Sequence, residues 1–243
     1  MIKLFRNIRQ NLLREGKTAN YLKYAIGEII LVVIGILIAL QINNWNERRK
    51  YKSLETNMLT EIKASLEESL IEINEMIEEN GNYVDNYKIL LDHINNNLPY
   101  DKTLDTYFGG LEYWVSPYFN YSAFETLKTL GAELISNDSL RKRIIRMYDR
   151  DFQYLVNDYD KSEWNYSTSV VHPFFSKHLE RDINSSKAVP NNYDELMNNA
   201  EFKNILTALI RLRSHGITTS KELKSSLENL IEDISNEIDK LNL

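Results

Sequence analysis

The stretch that decides the fold runs Tyr24-Ala-Ile-Gly-Glu-Ile-Ile-Leu-Val-Val-Ile-Gly-Ile-Leu-Ile-Ala-Leu-Gln-Ile-Asn-Asn-Trp45. Twelve consecutive apolar or glycine residues fill it from Ile29 to Leu40. From Tyr24 to Trp45 a helix rises roughly 31 Å, about the thickness of the hydrocarbon core of a bilayer. An aromatic residue stands at each end, as in the aromatic belts of membrane proteins. We therefore predict a transmembrane helix over residues 21–46.

The residues around this stretch indicate how it lies in a membrane. A cleaved signal peptide is disfavoured because no small-x-small site follows Leu40. Six Lys or Arg residues precede the stretch and four follow it closely, which favours a cytoplasmic N-terminus. We expect a single-pass protein of the bacterial inner membrane, with a periplasmic domain over residues 47–243. Residues 1–20 form either a basic amphipathic cytoplasmic segment on the membrane surface or a disordered basic tail.

One face of the predicted membrane helix carries most of its small residues. The spacing 3-4-3-4-3 places six residues on a stripe: Ala25, Glu28, Val32, Gly35, Ala39 and Ile42. Gly35 and Ala39 form a small-xxx-small pair, which lets two helices approach closely in lipid. The stripe predicts a homo-oligomer, although chance spacing is the alternative. For Glu28 an assembly or interfacial role is favoured over proton transfer.

The remainder of the chain has helical periodicity, and 8 Gly and 4 Pro are too few for a turn-rich β-fold. A seven-residue repeat continues towards Pro99 in two series: Leu66, Ile73, Asn80, Tyr87, Ile94 and Leu70, Ile77, Val84, Leu91, Leu98. Asn80 is a register marker or a break. A capping box at Thr219 begins a helix whose apolar stripe, Leu223 to Leu241, is expected to pack antiparallel on the first helix.

Further helices are expected between these two. Ser122 begins one through a second capping box. Another starts near Asn137 with a stripe of Leu140, Ile144, Tyr148, Phe152, Leu155 and Tyr159, and ends before Pro173. A helix from about Tyr193 ends at Gly216. The predicted fold class is all-α, an N-terminal transmembrane helix followed by a long-helix antiparallel bundle.

No motif predicts a chemistry. The chain has no Cys, its four His lack the spacing of a metal site, and no phosphate-binding or nucleophile-elbow motif is present. Asp149, Asp151, Asp158 and Asp160 are interpreted as surface charges, because a calcium loop needs a glycine and a closing Glu. The net charge of −6 argues against nucleic acid as a partner. We expect no enzyme activity, no cofactor and no metal.

The region 107–124 is unusually aromatic. A ligand or partner patch is possible at Tyr107, Phe108, Tyr113, Trp114, Tyr118, Phe119 and Tyr121. Such rings stack on a sugar or a hydrophobic ligand, or anchor another protein. The alternative, which we favour, is a loop that folds over one end of the bundle and seals it.

Two segments carry a resemblance to a known family. The run from Tyr24 to Glu47, preceded by Glu15-Gly-Lys-Thr, and the stretch Thr126-Leu-Lys-Thr-Leu-Gly through Leu140 resemble a family of bacterial membrane proteins of unknown function. That family is abundant in Bacteroidota-type bacteria. The resemblance implies a single-pass inner-membrane protein with a helical domain, and it implies no catalytic residues.

Two functions remain open for this sequence. The first is a membrane-anchored scaffold or interaction module that self-associates and docks an envelope protein. The second is an extracytoplasmic ligand-sensing or binding module that uses the aromatic region 107–124. The lipid bilayer is the expected partner in both.

Overall fold

The structure is a computed structural model that describes residues 18–243, without the side chains of residues 18–21 and 24. The predicted basic segment 1–20 and the predicted interfacial Tyr24 therefore lie outside the described side chains. The regular secondary structure of the described residues is helical apart from one two-stranded hairpin, which confirms the all-α class. The chain divides into two compact units, Met1–Leu54 and Glu55–Leu243.

The first helix, α1, spans Thr18–Asn96 and contains the apolar stretch. Its side chains there are exposed, with Ile29 at 64% and Leu40 at 52%, unlike those of a core helix. By length and composition this helix could cross a membrane. The two compact units divide within α1, beyond the predicted domain boundary at residue 46. Pro99 predicts a helix end, and α1 ends three residues before it, at Asn96. The next residue, Asn97, has a positive φ of 50°.

The seven-residue repeat of α1 marks the core only in part. In the first predicted series Leu66, Ile73, Asn80 and Tyr87 are fully buried, and Ile94 is half-buried. In the second series Val84 is buried, whereas the other four members are half-buried. The fully buried neighbours of this second series are Ser69, Met76 and Leu90. A helix that packs against two neighbours buries a wider stripe than the a/d seam of a coiled coil. Residues beside the seam are therefore buried as well.

Two short helices follow α1. They are α2 (Leu104–Gly109), continued by a 3₁₀ turn at Gly110–Glu112, and α3 (Ser122–Leu130). The predicted capping box at Ser122 does not form. Instead, the Asn120 side chain accepts hydrogen bonds from the Ser122 backbone N–H at 2.9 Å and its hydroxyl at 2.7 Å. A second 3₁₀ turn, Ala132–Leu134, leads to the next helix.

Residues 138–178, which we call the middle run, are helical throughout. They comprise α4 (Asp138–Arg146), α5 (Phe152–Tyr154), α6 (Lys161–Tyr166) and α7 (His172–His178), joined by π-helical segments at Met147–Asp151, Leu155–Asp160 and Ser167–Val171. The helix predicted to start near Asn137 is α4. Asn137 caps it by accepting a hydrogen bond from Leu140 N at 3.2 Å. The predicted apolar stripe from Leu140 to Tyr159 is buried.

The predicted break at Pro173 is wrong. Pro173 lies in the first turn of α7, directly after the π-helical segment Ser167–Val171. Inside an α-helix, proline lacks an N–H and its ring collides with the carbonyl four residues earlier. A π-helical turn has a wider i→i+5 pattern, so we attribute the tolerance of Pro173 to this turn.

After α7 the chain forms a hairpin and then its last long helix. β1 (Leu179–Arg181) pairs antiparallel with β2 (Ala188–Pro190), with Glu180 opposite Val189. α8 covers Tyr193–Met197, and α9 covers Ala200–Asn242. The predicted helix ends at Gly216 and Thr219 are therefore wrong, because α9 passes through both.

Gly216 is needed for close packing rather than for a helix end. A Cβ atom there would lie 2.1 Å from the ring of Tyr159 in the middle run. A glycine followed by a capping box is a local signal for a helix end. Here the close approach of α9 to the middle run at Gly216 overrules that signal.

Side-chain contacts fix the directions of the long helices within Glu55–Leu243. Lys203 donates to Asn95 Oδ1 at 2.8 Å, and Arg213 donates to the Tyr87 hydroxyl, so α9 runs antiparallel to α1. Tyr148 donates to Ser65 Oγ at 3.1 Å, and the preceding Ser136 contacts Glu55, so the middle run is parallel to α1. The predicted antiparallel packing of the first and last helices is confirmed.

Candidate functional site

The unit Glu55–Leu243 contains an open cleft of about 700 Å³. One wall is the irregular segment that follows the 3₁₀ turn at Gly110–Glu112. The other wall is the part of the middle run around the π-helical segment Leu155–Asp160. We call this cavity the aromatic cleft.

Five of the seven predicted patch residues line the aromatic cleft: Tyr113, Trp114, Tyr118, Phe119 and Tyr121. Tyr118 is 76% exposed and Tyr113 is 46% exposed. Phe119 is half-buried because its ring stacks on Phe152, with centroids 4.0 Å apart and planes at 9°. The region therefore neither seals the bundle completely nor stands free of it: some rings anchor the segment and others are presented to solvent.

The other two predicted patch residues lie elsewhere. Phe108 is fully buried in α2 and packs against Phe202, with ring centroids 6.3 Å apart, and the half-buried Tyr107 packs at the edge of the same cluster. Phe108 cannot contact a ligand at the surface. α2 is tightly packed at this point: at the next residue, Gly109, a Cβ would lie 1.8 Å from the carbonyl oxygen of Ser186.

Asp160 fastens the exposed segment to the middle run. Its Oδ1 accepts hydrogen bonds from Trp114 Nε1 at 2.8 Å and from Ser116 Oγ at 2.5 Å. Asp160 is half-buried at the cleft, so the residue interpreted as a surface charge also has a structural role. Local spacing does not indicate this role, because its partners lie more than forty residues earlier in the chain.

Asn80 fastens the same segment to α1. Its buried amide donates to Val115 O at 3.0 Å and accepts from Val115 N at 3.0 Å. The amide thus satisfies both the backbone N–H and the backbone C=O of Val115. Asn80 was predicted as a register marker or a break, and it instead positions one wall of the cleft.

The second wall was missed by the sequence analysis. Gln153, Asn157 and Trp164 line it, at helical spacings of four and seven residues that place them on one face with Asp160. Trp164 is 60% exposed and meets Trp114 edge-on, with centroids 6.2 Å apart and planes at 67°. In the sequence only the helical spacing of Trp164 from two amides marks this wall, and that spacing does not show which segment packs opposite it.

A buried polar network includes two residues of the same part of the middle run. It comprises Tyr87, Tyr159, Glu163 and Arg213, which we call the buried network. Arg213 Nε lies 3.3 Å from Glu163 Oε1, and both side chains are 1% exposed. Tyr159 donates to Glu163 Oε1 at 3.1 Å.

This network reaches the cleft wall through Tyr87. The guanidinium of Arg213 donates to the Tyr87 hydroxyl, which donates to the carbonyl oxygen of Gly110 at 3.0 Å. Burial raises the pKa of Glu163, and Arg213 opposes that rise. Among the described residues, Glu163 Oε2 has no hydrogen-bond partner, so the carboxylate is only partly compensated.

The predicted membrane stripe lies in the other unit, Met1–Leu54. Four of its members are exposed: Val32, Gly35, Ala39 and Ile42. Ala25 and Glu28 are half-buried, and together with Val32 they line a shallow groove of about 320 Å³. The structure therefore places the six residues on one helix without bringing another described element over them.

No group of three or more His, Asp or Glu residues that could hold a metal ion occurs in the described part of the chain. A family model described as a family of unknown function, DUF6090, matches residues 28–214. The match includes most of the apolar stretch and both walls of the aromatic cleft. No curated protein matches the chain, and no solved structure does.

Proposed function

The chain belongs to the DUF6090 family, and we propose that it is a membrane-anchored binding module whose aromatic cleft takes a small ligand. The cleft itself carries this proposal. Its volume of about 700 Å³ lies in the range usual for small-molecule sites. It presents the exposed rings of Tyr113, Tyr118 and Trp164, and exposed rings at a cleft are a common means of gripping a ligand.

Binding rather than catalysis is proposed because the polar groups of the cleft hold it in shape. Asp160 is engaged by Trp114 and Ser116, and Asn80 is engaged by Val115. These contacts pre-organise the rings, and a pre-organised site loses less conformational entropy when a ligand arrives.

The anchor in this proposal is the helix over residues 21–46. We propose a single pass through a bacterial inner membrane, with a cytoplasmic N-terminus and a periplasmic domain. The excess of Lys and Arg before the apolar stretch supports this orientation. Fusions of alkaline phosphatase and of a cytoplasm-only fluorescent protein to the C-terminus test it. Phosphatase activity is expected, and fluorescence of the second fusion would contradict the orientation.

Tryptophan fluorescence tests the ligand-binding role. Two of the three Trp residues, Trp114 and Trp164, line the cleft, and Trp45 lies in the other unit. In the full chain with Trp45→Phe, in lipid nanodiscs, every tryptophan signal therefore comes from the cleft. We expect a saturable change on titration with at least one member of a panel of neutral sugars, choline, indole and laurate.

The control separates the cleft from the rest of the surface. Tyr118→Ala should weaken the response, since its ring is 76% exposed at the cleft. Tyr154→Ala, an exposed tyrosine of the same domain outside the cleft, should leave it unchanged. A panel that produces no saturable change would contradict the proposed function, as would equal effects of the two substitutions.

A second role, a self-associating scaffold that docks an envelope protein, rests on the exposed small residues Gly35 and Ala39 of the predicted stripe. A second copy of the helix could pack there, because small residues allow close approach in lipid. Gly35→Ile should weaken oligomers in a membrane two-hybrid assay, whereas Leu37→Ile, off the stripe, should not. Equal association of wild type and Gly35→Ile would remove this interface.

A further inference from the structure

We propose that the ligand of the aromatic cleft is a neutral saccharide. This inference rests on the proposed function and adds the chemical class of the ligand. Three properties of the lining support this inference. Aromatic rings are exposed at the cleft, neutral hydrogen-bonding side chains lie beside them, and the charged side chains at the cleft are of both signs.

The rings are arranged to receive a flat apolar surface. Trp114 and Trp164 meet edge-on, at an interplanar angle of 67°, so they do not cover each other by face-to-face stacking. Trp164 remains 60% exposed and Tyr118 remains 76% exposed. A pyranose ring offers a face of C–H bonds, and the electron-rich face of an aromatic ring attracts such weakly positive hydrogens.

A chain of neutral polar groups runs beside these rings. Asn157 Nδ2 donates to Gln153 Oε1 at 2.8 Å, and Gln153 Nε2 donates to the Tyr121 hydroxyl at 3.0 Å. Each amide has two N–H donors and a carbonyl acceptor, and a tyrosine hydroxyl both donates and accepts. The chain uses one donor of each amide, so groups of both kinds remain for a ligand that also donates and accepts. Sugar hydroxyls do both.

The charged groups of the cleft are compensated. The carboxylate of Glu112, only 13% exposed, is paired with Arg181. Arg181 also donates to the Tyr113 hydroxyl at 2.9 Å and lies over its ring. Asp160 accepts two hydrogen bonds, and the cation Lys161 lines the same cleft.

The same features disfavour other ligand classes. Two carboxylates and two cations at the cleft leave no net charge to select an ionic ligand. An acyl chain would cover the amides of Gln153 and Asn157 without pairing them, and a buried polar group without a partner costs free energy. A neutral ligand with hydroxyl groups and one apolar face satisfies both the rings and the amides.

The experiment uses the full chain with Trp45→Phe in nanodiscs, titrated with cellotriose, maltotriose and chitotriose, and separately with choline, indole and laurate. We expect a saturable tryptophan signal with a neutral trisaccharide. Trp164→Ala should weaken that binding by about tenfold or more, as expected for the loss of a stacked ring. Trp114 remains as the reporter, and Tyr154→Ala should have no effect.

Asn157→Leu separates hydrogen bonding from the shape of the cleft. The residue is exposed, so leucine keeps the volume without disturbing the core. Trisaccharide binding should be lost in this variant while indole binding, if present in the parent, is retained. Trisaccharide binding unaffected by both Asn157→Leu and Trp164→Ala would overturn the inference, because the sugar would then bind elsewhere.

The remaining outcomes distinguish this inference from the proposed function. Binding of choline, indole or laurate that is lost in Trp164→Ala, with no trisaccharide binding, would overturn the saccharide class and leave the ligand-binding role standing. No saturable signal from any probe would overturn both.

Discussion

Arg213→Met should destabilise the protein strongly, and by an amount that depends on pH. Arg213 and Glu163 are each 1% exposed, and their side chains lie 3.3 Å apart. Methionine keeps the packing volume but leaves the carboxylate of Glu163 buried without its cation. Breaking a buried pair in this way typically costs about 3–5 kcal/mol. For a domain of this size that corresponds to a drop in Tm of roughly 6–20 °C.

The pH dependence follows from the carboxyl group that remains. Burial raises the pKa of Glu163 above its ordinary value of 4.5, and Arg213 opposes the rise. A group with a raised pKa in the folded state contributes stability below its unfolded pKa and loses it as the pH rises through the folded pKa. Removing Arg213 raises the pKa of Glu163 further, so the loss of stability continues to a higher pH than in the wild type. The deficit relative to wild type should therefore be larger at pH 8 than at pH 5.

Urea unfolding of the full chain, measured at both pH values with Glu163→Gln and the double variant, tests this reasoning. Glutamine cannot ionise, so the double variant should recover much of the stability lost in Arg213→Met and show no additional pH dependence. A deficit equal at pH 5 and pH 8 would refute the argument from Glu163. Strict additivity of the two substitutions would refute the coupling between them.

Two further predictions concern packing and the cleft wall. Gly216→Ala should cost about 1–3 kcal/mol, because its Cβ would overlap the Tyr159 ring; Gly81→Ala is the control, since nothing lies within 4 Å of its Cβ position, and it should stabilise α1 by about 0.5–1 kcal/mol. Equal thermal shifts in the two variants would contradict this account. Trp114→Phe should lower the free energy of unfolding by about 1.5–3 kcal/mol, because the hydrogen bond from Trp114 to the charged Asp160 is lost. Asp160→Asn can still accept that bond and should cost less in the same unfolding assay. A larger loss for Asp160→Asn than for Trp114→Phe would contradict this explanation.

Much of the fold was predictable because helix periodicity is local. The stripe from Leu140 to Tyr159 and the stripe from Leu223 to Leu241 were both predicted from spacing alone. The first is buried, and the second is buried as far as Ile234, with Ile238 and Leu241 half-buried. The apolar stretch before Trp45 was equally clear, since its length and composition are properties of consecutive residues. The aromatic wall of the cleft was found in part, because seven rings within fifteen residues are visible without a structure.

The second wall of the cleft was not predictable, because its identity depends on what packs opposite it. Nothing near Asp160 in the chain indicates that Trp114 and Ser116 would donate to it. Sequence spacing alone also placed Phe108 among the surface rings, whereas the approach of the hairpin to Gly109 puts it in the core.

The sequence by itself determined the helical class, the apolar segment and most faces that turn inward, since these follow from the period of the α-helix. Only the tertiary structure decided that α9 continues through Gly216 and that α1 buries Ser69 and Met76 in place of Leu70 and Ile77. Only the tertiary structure also paired Glu163 with Arg213, fifty residues away. The physical reason is common to all three. Burial and pairing depend on surfaces that meet in space, and the free energy of those contacts outweighs the weaker local preference for a cap, a break or an ideal seam.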